Sequence, residues 1–179
     1  MRLIHKDQKG LTLVELLVAL PIMAIVVLAA SAVMVQVIQS AHSSAHMVVL
    51  RQVQTAGYWV SRDALQVQEE PDVPAPPGIP FTLRWTEWDN SEAHEVVYSI
   101  SLGDINQLQR QETVHDKDGN LIGNITTVVG QYIDYIDSAN SKTRCNWDIN
   151  MYVLTFTVTA DIEGEVEART YEVKPRALA

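Results

Sequence analysis

Apolar and polar positions along the chain fall into three regimes. Leu16 to Val35 is a run of twenty consecutive positions without a charge, eleven of them Leu, Ile or Val, five Ala and two Met. At about 1.5 Å per residue, a helix of this length matches a hydrocarbon core of about 30 Å. At about −0.3 to −0.6 kcal/mol per large aliphatic residue, the run contributes roughly −3 to −6 kcal/mol to membrane insertion. Between residues 42 and 66 the pattern changes. Val49, Val53, Ala56, Val60 and Ala64 recur at spacings of three and four, and Arg51, Gln52, Gln54, Ser61, Arg62 and Asp63 mostly lie off that stripe. The two segments predict one long helix from Leu11 to Gln66, apolar all round in its first half and amphipathic in its second. It must stop before Pro71, because five prolines in the ten residues 71–80 cannot continue a helix and favour extended polyproline geometry. That stretch reads as a stiff connector.

From Phe81 onward the period shortens to two. Phe81–Thr86 alternates apolar and polar side chains, and Val96–Leu102 and Gln107–Val114 flank a Gly103-Asp104 turn. The turn Asp116-Lys117-Asp118-Gly119-Asn120 leads to Leu121–Val129 and then Tyr132–Ile136. A polar loop, Asp137 to Trp147, precedes the clearest pair, Met151–Val158 and Val166–Val173, which flank Gly164 as a hairpin. Helix first and antiparallel strands afterwards predicts an α+β fold, with the sheet packed on the amphipathic half-helix.

Charge adds a direction to this layout. The chain carries 22 acids and 13 bases, a formal −9, but Arg2, Lys6 and Lys9 outnumber Asp7 in the first ten residues. A cationic start before an apolar span, and an acidic domain after it, place the N-terminus in the cytoplasm and the C-terminal domain outside it. An acidic domain repels phosphate backbones, so no nucleic-acid partner is expected. The one cysteine, Cys145, forms no intrachain disulfide and reads as a small packed residue.

Two simpler accounts of the N-terminus fall short. A cleaved secretory signal would have an apolar stretch of about 7–15 residues. Ala30-Ser31-Ala32 has the composition of its cleavage site, yet the run continues through Val33, Met34, Val35, Val37 and Ile38. A generic anchor explains the run but not its start, Lys9-Gly10-Leu11-Thr12-Leu13-Val14-Glu15. A carboxylate at the edge of a membrane helix is costly and marks a functional candidate. Cleavage after Gly10 would create an amine at Leu11, four residues before Glu15, where one helical turn or a neighbouring subunit brings the two charges together.

Lys-Gly followed by Leu-Thr-Leu-Val-Glu and an aliphatic helix closely resembles the type IV prepilin leader. The resemblance implies that a membrane peptidase cuts between Gly10 and Leu11 and methylates Leu11, and that Glu15 guides docking into a filament. The implied partners are other minor and major pilins or pseudopilins, the prepilin peptidase and methylase, an inner-membrane assembly platform and membrane lipid. Two features depart from the family: Leu11 replaces its usual Phe, and Pro21 comes earlier than its usual proline, so a kink would sit nearer the cytoplasmic end. On this reading, residues 1–10 are a removable leader, 11–38 the membrane and assembly helix, 39–70 its amphipathic half, 71–80 the connector and 81–179 the strand-rich exported domain. A helix ending in Arg62-Asp63, then Val96–Ile100, Leu108-Gln109-Arg110 and a late apolar hairpin, is similar to J-type minor pseudopilins of type II secretion. Glu15 separates the chain from the K-type tip subunit, which characteristically lacks that residue.

Little else carries chemistry. His42 and His46 form an i, i+4 pair without the Glu of an H-E-x-x-H zinc motif. Asp116, Asp118 and Asn120 mimic the opening of a calcium loop, but Gly119 is misplaced and the distal Glu is missing, leaving a plain Asp-Gly turn. Glu163, Glu165 and Glu167 border a turn and pair with no second acid. No catalytic residue, cofactor site or metal site is expected. The reading is a minor pilin or pseudopilin that initiates or caps a filament. The rival is a tip module for DNA uptake or adhesion, with Trp59, Trp85, Trp88 and Trp147 as its candidate binding surface.

Overall fold

The computed structural model describes residues 12–89, 91–137 and 140–176. Helix α1 spans Leu13–Gln66 and runs through Pro21 without a break. Among the described residues seven strands follow: β1 (Phe81–Thr86), β2 (Ala93–Ser101), β3 (Gln107–His115), β4 (Leu121–Gln131), β5 (Arg144–Asp148), β6 (Val153–Ile162) and β7 (Glu165–Val173). They form two antiparallel sheets, β1-β2-β3-β4 and β5-β6-β7. The α+β architecture expected from the sequence is therefore present, with two sheets in the strand-rich part. The chain divides into two units, Met1–Ser43 and Ser44–Ala179.

In the first unit, every residue from Thr12 to Ser40 is exposed, including all of the large aliphatic ones. Such a surface is stable only against lipid or other apolar helices. The helix is long and apolar enough to cross a membrane.

The second unit reverses that arrangement. Val49, Val53, Ala56, Val60 and Ala64, the five stripe positions, are completely buried, as is Val67 just past the helix end. They join a core with Phe81, Leu83, Val96, Tyr98 and Leu108 from the first sheet and Leu154, Phe156, Val158 and Ala160 from the second. Phe81 links the sheets, stacking on Tyr98 at 5.0 Å between ring centroids and tilting against Phe156 at 6.0 Å. Each fully buried large side chain of this kind contributes about 1.5–3 kcal/mol relative to exposure.

Local chemistry explains where the strands differ from expectation. Tyr132–Ile136, expected as a strand, makes a single bridge, Ile133 to Ala160. Tyr132 sits at φ 60°, which ends the extended run, and Asn106 Nδ2 donates to the carbonyls of Ile133 and Tyr135 in place of a strand ladder. Conversely, the expected polar loop, Asp137 to Trp147, overlaps β5, whose Cys145 turns inward between exposed Arg144 and Asn146. The β6–β7 hairpin closes through Glu163-Gly164, both at positive φ, the two-residue turn whose twist suits antiparallel strands.

The prolines do more than connect. Cys145 N–H donates to the Pro77 carbonyl at 2.7 Å. Gly78, at φ 73°, lies so close to β5 that a Cβ there would meet the Cys145 carbonyl oxygen at 1.9 Å. On the other side, Gln68 acts as an extra rung for β1: its backbone N–H donates to Arg84, its side-chain amide donates to the Thr86 carbonyl and accepts from the Thr86 N–H. With Asp72 paired to Thr82, the outer edge of β1 is covered.

Gly57 marks the closest approach of helix and sheet. A Cβ there would fall 2.0 Å from the Tyr171 ring of β7, whose hydroxyl donates to the Val53 carbonyl. Alanine favours a helix over glycine by about 1 kcal/mol, whereas overpacking costs about 1–3 kcal/mol. Gly57→Ala is therefore expected to lower stability, but to raise it by up to about 1 kcal/mol in a Tyr171→Ala background. Urea unfolding of the four proteins of this double-mutant cycle measures the reversal.

Candidate functional site

Of the residues singled out in the sequence, Gly10 and Leu11 lie outside the described residues, and Glu15 lies within the first turn of α1. Thr12 precedes that turn. Its N–H and its hydroxyl each donate to Glu15 Oε2 at 2.9 Å, and its Oγ1 accepts the Glu15 N–H at 3.3 Å. This is a reciprocal capping box, Thr-x-x-Glu, which satisfies N–H groups that the helix itself cannot pair. The Thr-x-x-Glu spacing is visible in the sequence, where the charge of Glu15 overshadows its partner three residues before. Around this cap the helix surface is entirely apolar and exposed.

The second polar site is buried. Asp63, which the helical stripe placed off the core, is 0% exposed. Its Oδ2 accepts from Tyr98 Oη and from Arg110 Nε, both at 2.6 Å, while Oδ1 faces Arg62 Nε at 3.5 Å. Arg110, 3% exposed, also donates from Nη1 to Glu112 Oε2 at 2.8 Å. Glu112 Oε1 in turn meets His94 Nδ1 at 3.0 Å. Trp59 lies beneath both cations, with Arg62 4.5 Å and Arg110 5.2 Å from its ring centroid, an arrangement favourable for cation–π attraction. Position explains the correction: Asp63 is one residue before Ala64 and three after Val60, at the margin of the stripe, where β2 and β3 deliver a phenol and a guanidinium.

Burial and the Asp63 charge push the Tyr98 phenol up, holding it neutral and donating. Burial works against the Arg110 charge, but its bonds to Glu112 and Asp63 outweigh that and raise its pKa. Burial likewise favours neutral Glu112, yet the hydrogen bonds from Arg110 and His94 prevail and its pKa lies below the ordinary 4.5. Arg110 and Glu112 are thus held charged within the cluster. It holds no nucleophile beside a base and reads as structural.

The other sequence candidates scatter. His42 and His46 are exposed on α1. Asp116 caps its own turn, and the hydrogen bonds it accepts from the Asn120 side chain, then from the N–H groups of Asn120 and Asp118, lower its pKa. Cys145 is buried, which pushes its thiol up to about 12 and leaves it unreactive. The four tryptophans form no common surface: Trp85 is core, Trp59 and Trp147 pack against the core, and Trp88 is fully exposed.

Residues 5–31 match the family model of the prokaryotic N-terminal methylation motif. No curated protein and no solved structure matches the chain. The match is type IV prepilin-like and points to a structural subunit rather than an enzyme. Together with the long apolar helix it suits a protein anchored in the inner membrane.

Removing one partner of a buried ion pair leaves an uncompensated charge and costs about 3–5 kcal/mol. Asp63→Ala is expected to lose that much in denaturant unfolding. Asp63→Leu combined with Arg110→Met is expected to recover most of it, because no orphan charge remains. Acid gives a second reading. The unfolded chain binds the Glu112 proton more readily than the folded one, so the carboxylate's contribution is complete above about pH 5. It is lost as pH falls through the depressed folded value. In thermal melts, the gap between wild type and Glu112→Gln should be widest near pH 7 and close towards pH 3.

Proposed function

We propose that the chain is a minor pilin or pseudopilin, a structural subunit that initiates or caps a filament assembled from the inner membrane. The observation that carries this is a methylation motif at residues 5–31 leading directly into an exposed apolar helix. That helix continues into a half that forms the spine of a strand-rich core. Residues 1–10 are then a leader removed by the prepilin peptidase, Leu11 the methylated N-terminus, and residues 11–38 the segment that moves from lipid into the filament. The strand-rich part is the exported head, and its likeness to J-type pseudopilins favours a secretion pseudopilus.

The head offers one edge for lateral contacts. The outer edge of β1 is covered by Gln68 and Asp72, whereas β4 is the opposite edge of the same sheet. Its eleven residues contain no charge and no proline, and Leu121, Ile122, Ile125 and Val128 are exposed. Soluble monomers guard such edges with charge. An uncharged edge supports side-on pairing with fellow subunits.

Mass spectrometry of the membrane-extracted protein is expected to show a chain beginning at methylated Leu11; one beginning at Val33 would instead establish secretion by signal peptidase. Glu15 is tested by two substitutions, because glutamine keeps the capping hydrogen bonds and removes only the charge. Both Glu15→Gln and Glu15→Leu should insert and be processed, and both should fail to crosslink with sister subunits. If Glu15→Gln incorporates like wild type, the residue serves the helix cap alone.

A further inference from the structure

Beyond filament assembly, we infer that Glu87, Glu92 and His94 form a binding site for a zinc ion at the tip of the β1–β2 hairpin. One donor atom from each lies within 4.8 Å of the others. The hairpin brings them together. The Glu87 N–H donates to the Glu92 carbonyl at 2.8 Å, and His94 pairs with Trp85 across the two strands. The imidazole stacks flat on the Trp85 ring, 5.2 Å between centroids and 4° between planes, which fixes the plane in which its nitrogens point.

The nitrogens are differentiated. Nδ1 meets Glu112 at 3.0 Å, and Glu112 is itself held by Arg110 at 2.8 Å. A carboxylate behind the imidazole accepts a hydrogen bond from Nδ1–H, fixes the ring and makes the far nitrogen a better donor to a metal, the usual support of a zinc-bound histidine. That far nitrogen, Nε2, is buried and has no hydrogen-bond partner among the described residues. It stands 3.5 Å from Glu87 Oε1. Two donors bound to one tetrahedral zinc at about 2.1 Å are about 3.4 Å apart, so this pair is already at ligand spacing. With Nδ1 turned to Glu112, Nε2 points at the Glu87 carboxylate across a gap that a cation would fill.

The donor set selects the ion. Calcium and magnesium seek six or more oxygens, whereas one imidazole with two carboxylates suits zinc and its first-row neighbours. Three protein ligands leave a fourth position for water. The sequence directed attention to His42 and His46, but the residues that converge are two acids from a turn and a histidine from the following strand.

Isothermal titration of the full chain in detergent, without a histidine tag, tests the site with zinc chloride as titrant. One equivalent of zinc should bind, and Glu87→Gln, Glu92→Gln and His94→Gln should each weaken it at least tenfold. Because His94→Gln also disturbs Glu112, the two turn variants, checked for wild-type circular dichroism, decide the case. A His42→Gln/His46→Gln variant should bind like wild type. Three results would overturn the inference: no zinc uptake; uptake lost only with His42 and His46, an adventitious ion only; or displacement of zinc by equimolar calcium.

Discussion

The stripe Val49, Val53, Ala56, Val60 and Ala64 uses small side chains that still exclude water, and this sets how near the helix can come to the strands. Its burial is complete, and Gly57 extends the same logic to the limit, where the Tyr171 ring takes the place of a side chain. The two sheets share few backbone links of their own. The Ile133–Ala160 bridge and the hydrogen bonds around it join them, and Phe81 spans them with its ring. The helix is therefore the common wall on which both sheets find their place. A larger residue in the stripe would push β2, β3 and β6 away together, so the small residues are a shared constraint and not five separate preferences.

A charge beside this wall needs a separate explanation. Replacing a buried ion pair with apolar side chains is often neutral or stabilising, so the Asp63–Arg110 pair is weak as a source of net stability. What it adds is discrimination. Tyr98 and Arg110 face each other across β2 and β3, and both must reach the same carboxylate oxygen. A one-residue slip of either strand would turn its side chain to the opposite face and leave Asp63 buried without a partner. Wrong registers are thereby penalised more than the right one is rewarded. Glu112 and His94 extend the same chain of contacts to the hairpin tip, joining helix, strands and turn through hydrogen bonds.

Much of this was legible in the sequence because the governing signals are periodic. The uncharged run, the three-and-four stripe and the alternating strands each repeat often enough to overcome local noise, and the long helix, most strands and the buried stripe follow from them. The failures share the opposite property. The fate of Tyr132–Ile136 turns on one positive φ and one asparagine side chain, and β5 is five residues long with polar neighbours. Asp63 was misplaced because helical periodicity assigns a face by polarity, while its actual environment is supplied by residues 35 and 47 positions later. The trio at the hairpin tip was invisible for the same reason. Only strand register brings His94 to the turn that carries the acids.

Glu15 shows how one residue can answer two demands. A helix beginning at the edge of a membrane presents N–H groups where little water can satisfy them, and Thr12 with Glu15 meets part of that need within the chain. In the proposed assembly, the same carboxylate must also attract the amine at Leu11 or that of a neighbouring subunit. The two tasks would conflict if the cap consumed the whole group. It does not, because both bonds from Thr12 fall on Oε2, and a carboxylate has about four acceptor positions over two oxygens. The cap fixes the rotamer and leaves the negative charge undiminished. A docking amine then meets an acid already oriented by its own helix, so the entropy of ordering that side chain is spent on folding rather than on assembly.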